Sequence, residues 1–311
     1  MNVALVDIDS HNFPNLVLMK LSAWHKQNGD KTFLIRPAEF FAGDLFAAPY
    51  DKIYGACVFS ENARLAHEVE AAGGYVAGSG TGKSDTLPEE IEHIMPDYSL
   101  YGITNTAYGF LTRGCPRCCP FCIVSQKEGA KSRKVANLGE WWNGQKYIKL
   151  LDPNLLAAPE ADSLLKQLCY SGAYIDFTQG IDARLLNEKR IAMLSEMKIK
   201  RLHFAWDNPK DKDCRSKLKQ FAETVMKHKT DYVKYKVYVL TNYWSNHDED
   251  LYRIYWLRDN GFDPYVMIYD KTNAPKQTRQ LQRWVNNKRI FRSTNTFLEY
   301  RFVTEWEEGE K

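Results

Sequence analysis

Short apolar runs alternate along this chain with stretches whose apolar residues recur at helical spacing. In the first hundred residues, 2–7, 32–35, 52–59 and 75–77 read as strands, and 14–27 and 62–72 as amphipathic helices. That alternation predicts a small open α/β sheet with helices on its faces. A linker near 97–106 separates it from a second series. There the strand-like runs are 107–112, 147–151, 174–178, 201–206, 236–241 and 265–269. The helical stretches between them are 161–170, 187–197, 212–227, 248–260 and 275–285, and only 126–145 is poor in helix signals. Six strands joined by crossovers of this length predict a parallel sheet.

Composition agrees with a globular α/β protein. At 311 residues, 44% hydrophobic and 26% charged, the chain can bury one large core or two ordinary ones. No apolar run approaches membrane-spanning length, and the opening Met-Asn-Val-Ala-Leu-Val-Asp reads as a buried strand rather than a basic signal peptide, so a cytoplasmic setting is expected. The net charge of +3 gives no global attraction to nucleic acid or anionic lipid. Of seven cysteines, four lie in one loop, while Cys57, Cys169 and Cys214 are scattered, which argues against a disulfide framework.

The chemistry is concentrated in Arg113-Gly-Cys-Pro-Arg-Cys-Cys-Pro-Phe-Cys-Ile-Val124. Cys115, Cys119 and Cys122 stand at Cys-x3-Cys-x2-Cys spacing. Three thiolates can hold three irons of a [4Fe–4S] cube and leave the fourth open, whereas an electron-transfer cluster normally takes four protein thiolates. Taken with Cys118, the loop also parses as two abutting Cys-x2-Cys pairs, a zinc pattern when a long loop separates them. Four tetrahedral ligands from eight contiguous residues would demand an implausibly tight chain, which leaves Cys118 a spare thiol. Gly114 and the two prolines suit a loop whose backbone runs close to a cofactor.

This loop and the strand pattern around it resemble the radical S-adenosylmethionine (SAM) enzymes. The resemblance implies a partial (β/α)6 barrel over 101–291, a [4Fe–4S] cluster on Cys115, Cys119 and Cys122, and SAM on the open iron. It further implies reductive cleavage of SAM to a 5′-deoxyadenosyl radical that takes hydrogen from substrate, fed by a reductant such as flavodoxin or ferredoxin. Phe121 fits the aromatic that the family places beside the adenine. In such barrels the chemistry gathers at the C-terminal strand ends. Here those ends carry Asp152 and Asn154, Gln179, Asp182 and Arg184, Asp207 and Asn208, Asn242, and Asp270 and Lys271. By resemblance Asp152, Asn154, Gln179, Asp182, Arg184, Asp207 and Asn242 contact SAM or substrate. Arg184 would pair with the SAM carboxylate, and Asp207 or Asp182 would accept from ribose hydroxyls. The same residue types are also ordinary caps and turn formers. The family's Gly-Gly-Glu after the second strand is replaced by Leu-Asp-Pro-Asn, so the site for the SAM amino group does not carry over. No catalytic side chain is assigned.

Residues 1–100 resemble the Rossmann-like, cobalamin-binding-like domain that precedes the barrel in one branch of these enzymes, and 292–311 reads as a C-terminal tail. Asp9-Ser-His11 matches the start of the cobalamin motif Asp-x-His-x-x-Gly, with His11 as axial ligand, yet Pro14 stands where the glycine belongs. A degenerate domain used for packing or substrate binding is the better reading. Ala77-Gly-Ser-Gly-Thr-Gly-Lys-Ser84 satisfies a relaxed phosphate-loop pattern, but Pro88 interrupts the helix such a loop must open, so its glycines read as a flexible loop. Lys271, Lys276, Arg279, Arg283, Lys288, Arg289 and Arg292, with Trp284 and Phe291 among them, form a basic and aromatic stretch. It raises the alternatives of tRNA or DNA base modification, or of a non-enzymatic metal-binding nucleic-acid adaptor. Charge balance and the acidic end of the chain favour a small molecule or peptide as substrate.

Overall fold

The computed structural model describes residues 1–9, 13–41, 50–83, 85–226, 228 and 231–300. His11, Ser84 and the chain after Tyr300 lie outside them. The chain divides into two compact units, Met1–Gly109 with Ala136–Ile148, and Phe110–Val135 with Lys149–Lys311.

The first unit holds strands β1 (Asn2–Asp7), β2 (Lys31–Ile35), β3 (Lys52–Ala56) and β4 (Tyr75–Ala77), with helices α1 (Leu16–Gln27), α2 (Pro37–Phe41), α3 (Ala63–Ala71) and α4 (Glu89–Glu92). The sheet order is β2-β1-β3-β4, all parallel. Central β1 is buried on both faces, as a parallel strand covered by helices must be. Val3 and Leu5 pack with Leu18 and Leu21 of α1, while Val6 packs with Ala66 and Val69 of α3 on the other side. Helix α1 begins at Leu16 because the Asn15 side chain accepts from the Val17 and Leu18 amides, which leaves Pro14 just outside the helix.

The larger sheet is built from β5 (Thr106–Gly109), β8 (Tyr147–Leu150), β9 (Tyr174–Phe177), β10 (Ile199–Ala205), β11 (Tyr235–Thr241) and β12 (Asp263–Ile268), in the order β12-β11-β10-β9-β8-β5. Its pairings from β9 to β12 are parallel. Helices α6 (Ala161–Ser171), α7 (Glu188–Glu196), α8 (Lys212–Val225), α9 (His247–Asp259) and α10 (Lys276–Asn286) make the crossovers and cap, followed by α11 (Lys288–Ser293). The fold is thus α/β, a six-stranded sheet of partial-barrel type with a smaller parallel sheet; the hydrophobic pattern predicted the two sheets and the resemblance the barrel type. Phe204 of β10 meets Phe221 of α8, and Val266 of β12 lies in one cluster with Leu281, Trp284 and Val285 of α10. Phe297 and Tyr300 are buried in that same cluster.

One predicted strand is interrupted. Residues 107–112 form β5 and then, after Phe110 and Leu111, a separate short strand β6 (Thr112–Arg113) that pairs antiparallel with β7 (Arg133–Lys134). The connection judged poor in helix signals also contains a short helix, α5 (Val124–Glu128). Among the described residues, no helix is long and apolar enough to cross a membrane.

Candidate cofactor site at the cysteine loop

The ribbon β6–β7 closes the base of the cysteine loop, and Asp152, just beyond β8, fixes where that ribbon starts. Its buried carboxylate accepts from the Leu111 amide at 3.1 Å, the Thr112 amide at 2.5 Å and the Thr112 hydroxyl at 2.7 Å. These bonds take the strand out of the six-stranded sheet and turn it into the loop. Burial pushes the Asp152 carboxyl up to about 6, with the hydrogen bonds from Thr112 and Leu111 opposing it. Asp152, expected at the cofactor, is therefore spent on the loop's foundation. Further along, the Arg113 guanidinium and the Gly114 amide donate to the Glu128 carboxylate, and the Cys115 amide donates to the Gly129 carbonyl. Gly114 has φ +85°, and a Cβ there would stand 2.2 Å from the Lys131 carbonyl oxygen, so no other residue fits.

Within this frame Cys115, Cys119 and Cys122 are half-buried and Cys118 is exposed, in a left-handed conformation with φ 45°. Burial pushes the Cys119 thiol up, Arg117 opposes this, and Asp207 and the sulfurs of Cys115 and Cys122 add to it. The Asn154 amide nitrogen reaches the Cys115 sulfur at 3.5 Å, while its oxygen is buried with no protein partner. Among the described residues, no three His, Cys, Asp or Glu side chains stand close enough together to hold a metal ion as they are. The donor types nevertheless suit a three-thiolate cluster: three half-buried thiols on one loop whose ends are tied, a fourth thiol exposed, and an amide donor on one sulfur.

A cleft opens beside Cys119. It is lined by Arg117, Cys119, Arg184, Ala205, Trp206, Asp207, Asn208, Asp211 and Trp244. The predicted strand-end residues divide into several groups around it. Arg184 and Asp207 line the cleft. Asp182 stands behind it, accepting from the Arg184 Nε at 2.7 Å and Nη2 at 3.0 Å, while Arg184 Nη1 donates to Asp211 at 2.9 Å. Burial acts to lower the Arg184 guanidinium, but the two carboxylates outweigh it and hold the group charged. Burial raises the Asp207 carboxyl against the pull of Arg253 and Arg184. Phe121 packs edge-on against Tyr243 and Trp244 at ring distances of 5.4 and 5.3 Å. Asn242 turns β11 toward that aromatic corner with φ 62°, a conformation asparagine tolerates. Gln179 is exposed and lines no part of the cleft.

The strand ends that form the cleft share a support the sequence reading missed. Arg253 of α9, 0% exposed, donates to the Trp206 carbonyl at 2.6 Å, the Asp207 carbonyl at 2.8 Å and the Leu240 carbonyl at 2.9 Å, and pairs with Asp250 at 2.5 Å. Its i,i+3 spacing from Asp250 was legible. That both would turn inward under β10 and β11 was not.

In the first unit, the described polar side chains of the two motifs bond to their own neighbours. Asp9 accepts from the Val58 amide at 2.6 Å, the Phe59 amide and the Asn62 side chain, so its carboxylate ties β1 to the loop after β3. His11, the axial ligand of the cobalamin reading, lies outside the described residues. In the phosphate-loop look-alike, Lys83 donates to Glu70 and to the Val76 carbonyl. Two of its glycines are required by close packing: a Cβ on Gly78 would stand 2.2 Å from the Cys57 carbonyl oxygen, and one on Gly80 2.6 Å from that of Phe59. In the basic stretch, Lys288 is half-buried and paired with Asp263 at 2.6 Å, while Arg279, Arg283, Arg289 and Arg292 are exposed.

No family model and no curated protein matches the sequence. The chain is similar to radical SAM enzymes of known structure. Streptococcus suis SuiB bound to SAM shares 13% identity over 61% of this chain and 48% of its own, with a TM-score of 0.43. SuiB bound to its precursor peptide SuiA gives 14%, 61%, 47% and 0.43. The radical SAM methyltransferase TsrM of Kitasatospora setae, with tryptophan and a SAM analogue, shares 10% identity over 85% of this chain and 67% of its own, with a TM-score of 0.40. The chain spans about half the length of SuiB.

Proposed function

We propose that this protein is a radical SAM enzyme in which Cys115, Cys119 and Cys122 hold a [4Fe–4S] cluster and the cleft beside Cys119 receives SAM. The observation that carries the reading is that Cys119, one of three thiols at Cys-x3-Cys-x2-Cys spacing, lines a polar cleft at the C-terminal end of β10. Cluster and SAM together would supply reductive cleavage to a 5′-deoxyadenosyl radical able to take hydrogen from substrate. The chain's own part is to orient and to enclose. Asp152 and Glu128 fix the two ends of the loop, and Asn154 donates to one sulfur. Asp207 offers an acceptor for hydroxyl groups, and Phe121, Tyr243 and Trp244 give an apolar wall for a planar base. Arg253 fixes the strand ends that present Trp206 and Asp207.

A small molecule or peptide is the proposed substrate. The basic stretch supports nucleic-acid binding less than its composition suggested, because Lys288 is committed to Asp263 and Pro264. The test is anaerobic reconstitution of the full chain with iron and sulfide, then SAM and dithionite. About four irons per chain and 5′-deoxyadenosine are expected. A protein that binds iron and never cleaves SAM with candidate substrates present would withdraw the proposal.

A further inference from the structure

Family resemblance gives the SAM carboxylate to Arg184, but Arg184 is already surrounded by anions. Asp182 occupies its bidentate edge and Asp211 its outer nitrogen. A third carboxylate brought to it would meet the repulsion of two others at close range. The second cation of the cleft is in a different state. Arg117 stands in the cysteine loop between Cys115 and Cys119, its side chain 42% exposed, and its one ion pair is a long contact from Nε to Asp182 at 3.7 Å. Neither of its terminal nitrogens has a partner among the described residues, and these are the atoms that make the forked contact with a carboxylate.

We infer that Arg117, not Arg184, receives the carboxylate of SAM. The inference rests on the radical SAM reading and refines it. Arg117 rides on the same pinned loop as the thiols, so an anion it holds is placed beside Cys119 by the loop itself. Arg184 takes the role of a positioning residue. It locks Asp182, at the turn after β9, to Asp211, the N-cap of α8, and so fixes one side of the cleft.

The test compares equilibrium binding of SAM and of decarboxylated SAM, which keeps the sulfonium and the amine, to the anaerobically reconstituted full chain. Wild type is expected to prefer SAM by about tenfold or more, the value of a charge-assisted contact. Arg117→Met should cut that preference about tenfold, with iron content and melting temperature unchanged, and Arg117→Lys should restore part of it. Arg184→Met should lower the melting temperature and weaken both ligands alike. If Arg117→Met keeps the wild-type preference, or if wild type shows none while still binding SAM, the inference fails and the radical SAM reading stands. If wild type binds neither ligand, both fail.

Discussion

The two parallel sheets carry motifs of similar promise, and they treat them oppositely. Around the smaller sheet every described polar group of the two motifs is consumed by its own neighbours: Asp9 by the amides of Val58 and Phe59, Lys83 by Glu70 and Val76. Around the larger sheet the loop is equally well tied, through Asp152 and Glu128, but the tying groups differ from the ones that bear the chemistry. The thiols and the Arg117 guanidinium are left over. A motif becomes a site when other residues hold its backbone, because a side chain that holds the fold has no valence left for a ligand.

The largest expected effect breaks the contrast at its source. Replacing Cys119 by Ala should abolish both stable iron loading near the level of wild type and any 5′-deoxyadenosine, while Cys118→Ala should leave both intact. Iron analysis and chromatography of the nucleoside decide it, and equal loss in the two variants would restore the four-thiol reading.

Next comes the support under the strand ends. Burial pushes the Asp250 carboxyl up and the Arg253 guanidinium down, so each depends on the other for its charge. Arg253→Met strands Asp250 and three carbonyls, and should cost about 3–5 kcal/mol, read by urea unfolding. A loss below about 1 kcal/mol would show that the network is dispensable.

Asp152 gives a smaller effect with a defined sign. Its folded-state value of about 6 lies above the ordinary 3.8, so the native protein binds the proton more tightly than the unfolded chain. The stability it contributes is fully present below about pH 4 and is lost as pH rises through 6, by roughly 2–3 kcal/mol. Asp152→Asn should flatten that part of the stability profile between pH 4 and 7. An unchanged slope would mean that the carboxyl ionises normally in its site.

The smallest effects belong to the decoys. Lys83→Ala and Arg279→Ala should each change stability by no more than about 0.5–1 kcal/mol. Neither should alter SAM cleavage. Salt-sensitive RNA or DNA binding that falls on neutralising Arg279 and Arg283 would reopen the nucleic-acid reading.

The course of the chain was written in its periodicity. The apolar runs at 2–7, 147–151, 174–178 and 236–241 and the helical stretches between them fall within a few residues of the observed elements, since burying one face requires that spacing whatever the partner. The cysteine spacing was equally local: one loop must hold its own ligands. What the sequence could not settle was which polar residue is spent and which is spare. Asp152 looked like a cofactor ligand and proved to be the loop's anchor. Arg184 looked like an anion site and already pairs with Asp182 and Asp211. Arg253 showed only its i,i+3 spacing from Asp250 and holds two strand ends together. These outcomes depend on groups 27 to 47 residues apart meeting at hydrogen-bond distance, as Arg184 does the Asp211 carboxylate and Arg253 the Trp206 carbonyl. Hydrogen bonds and ion pairs act over a few ångströms, so only the packed strands and helices decide which groups come within their reach.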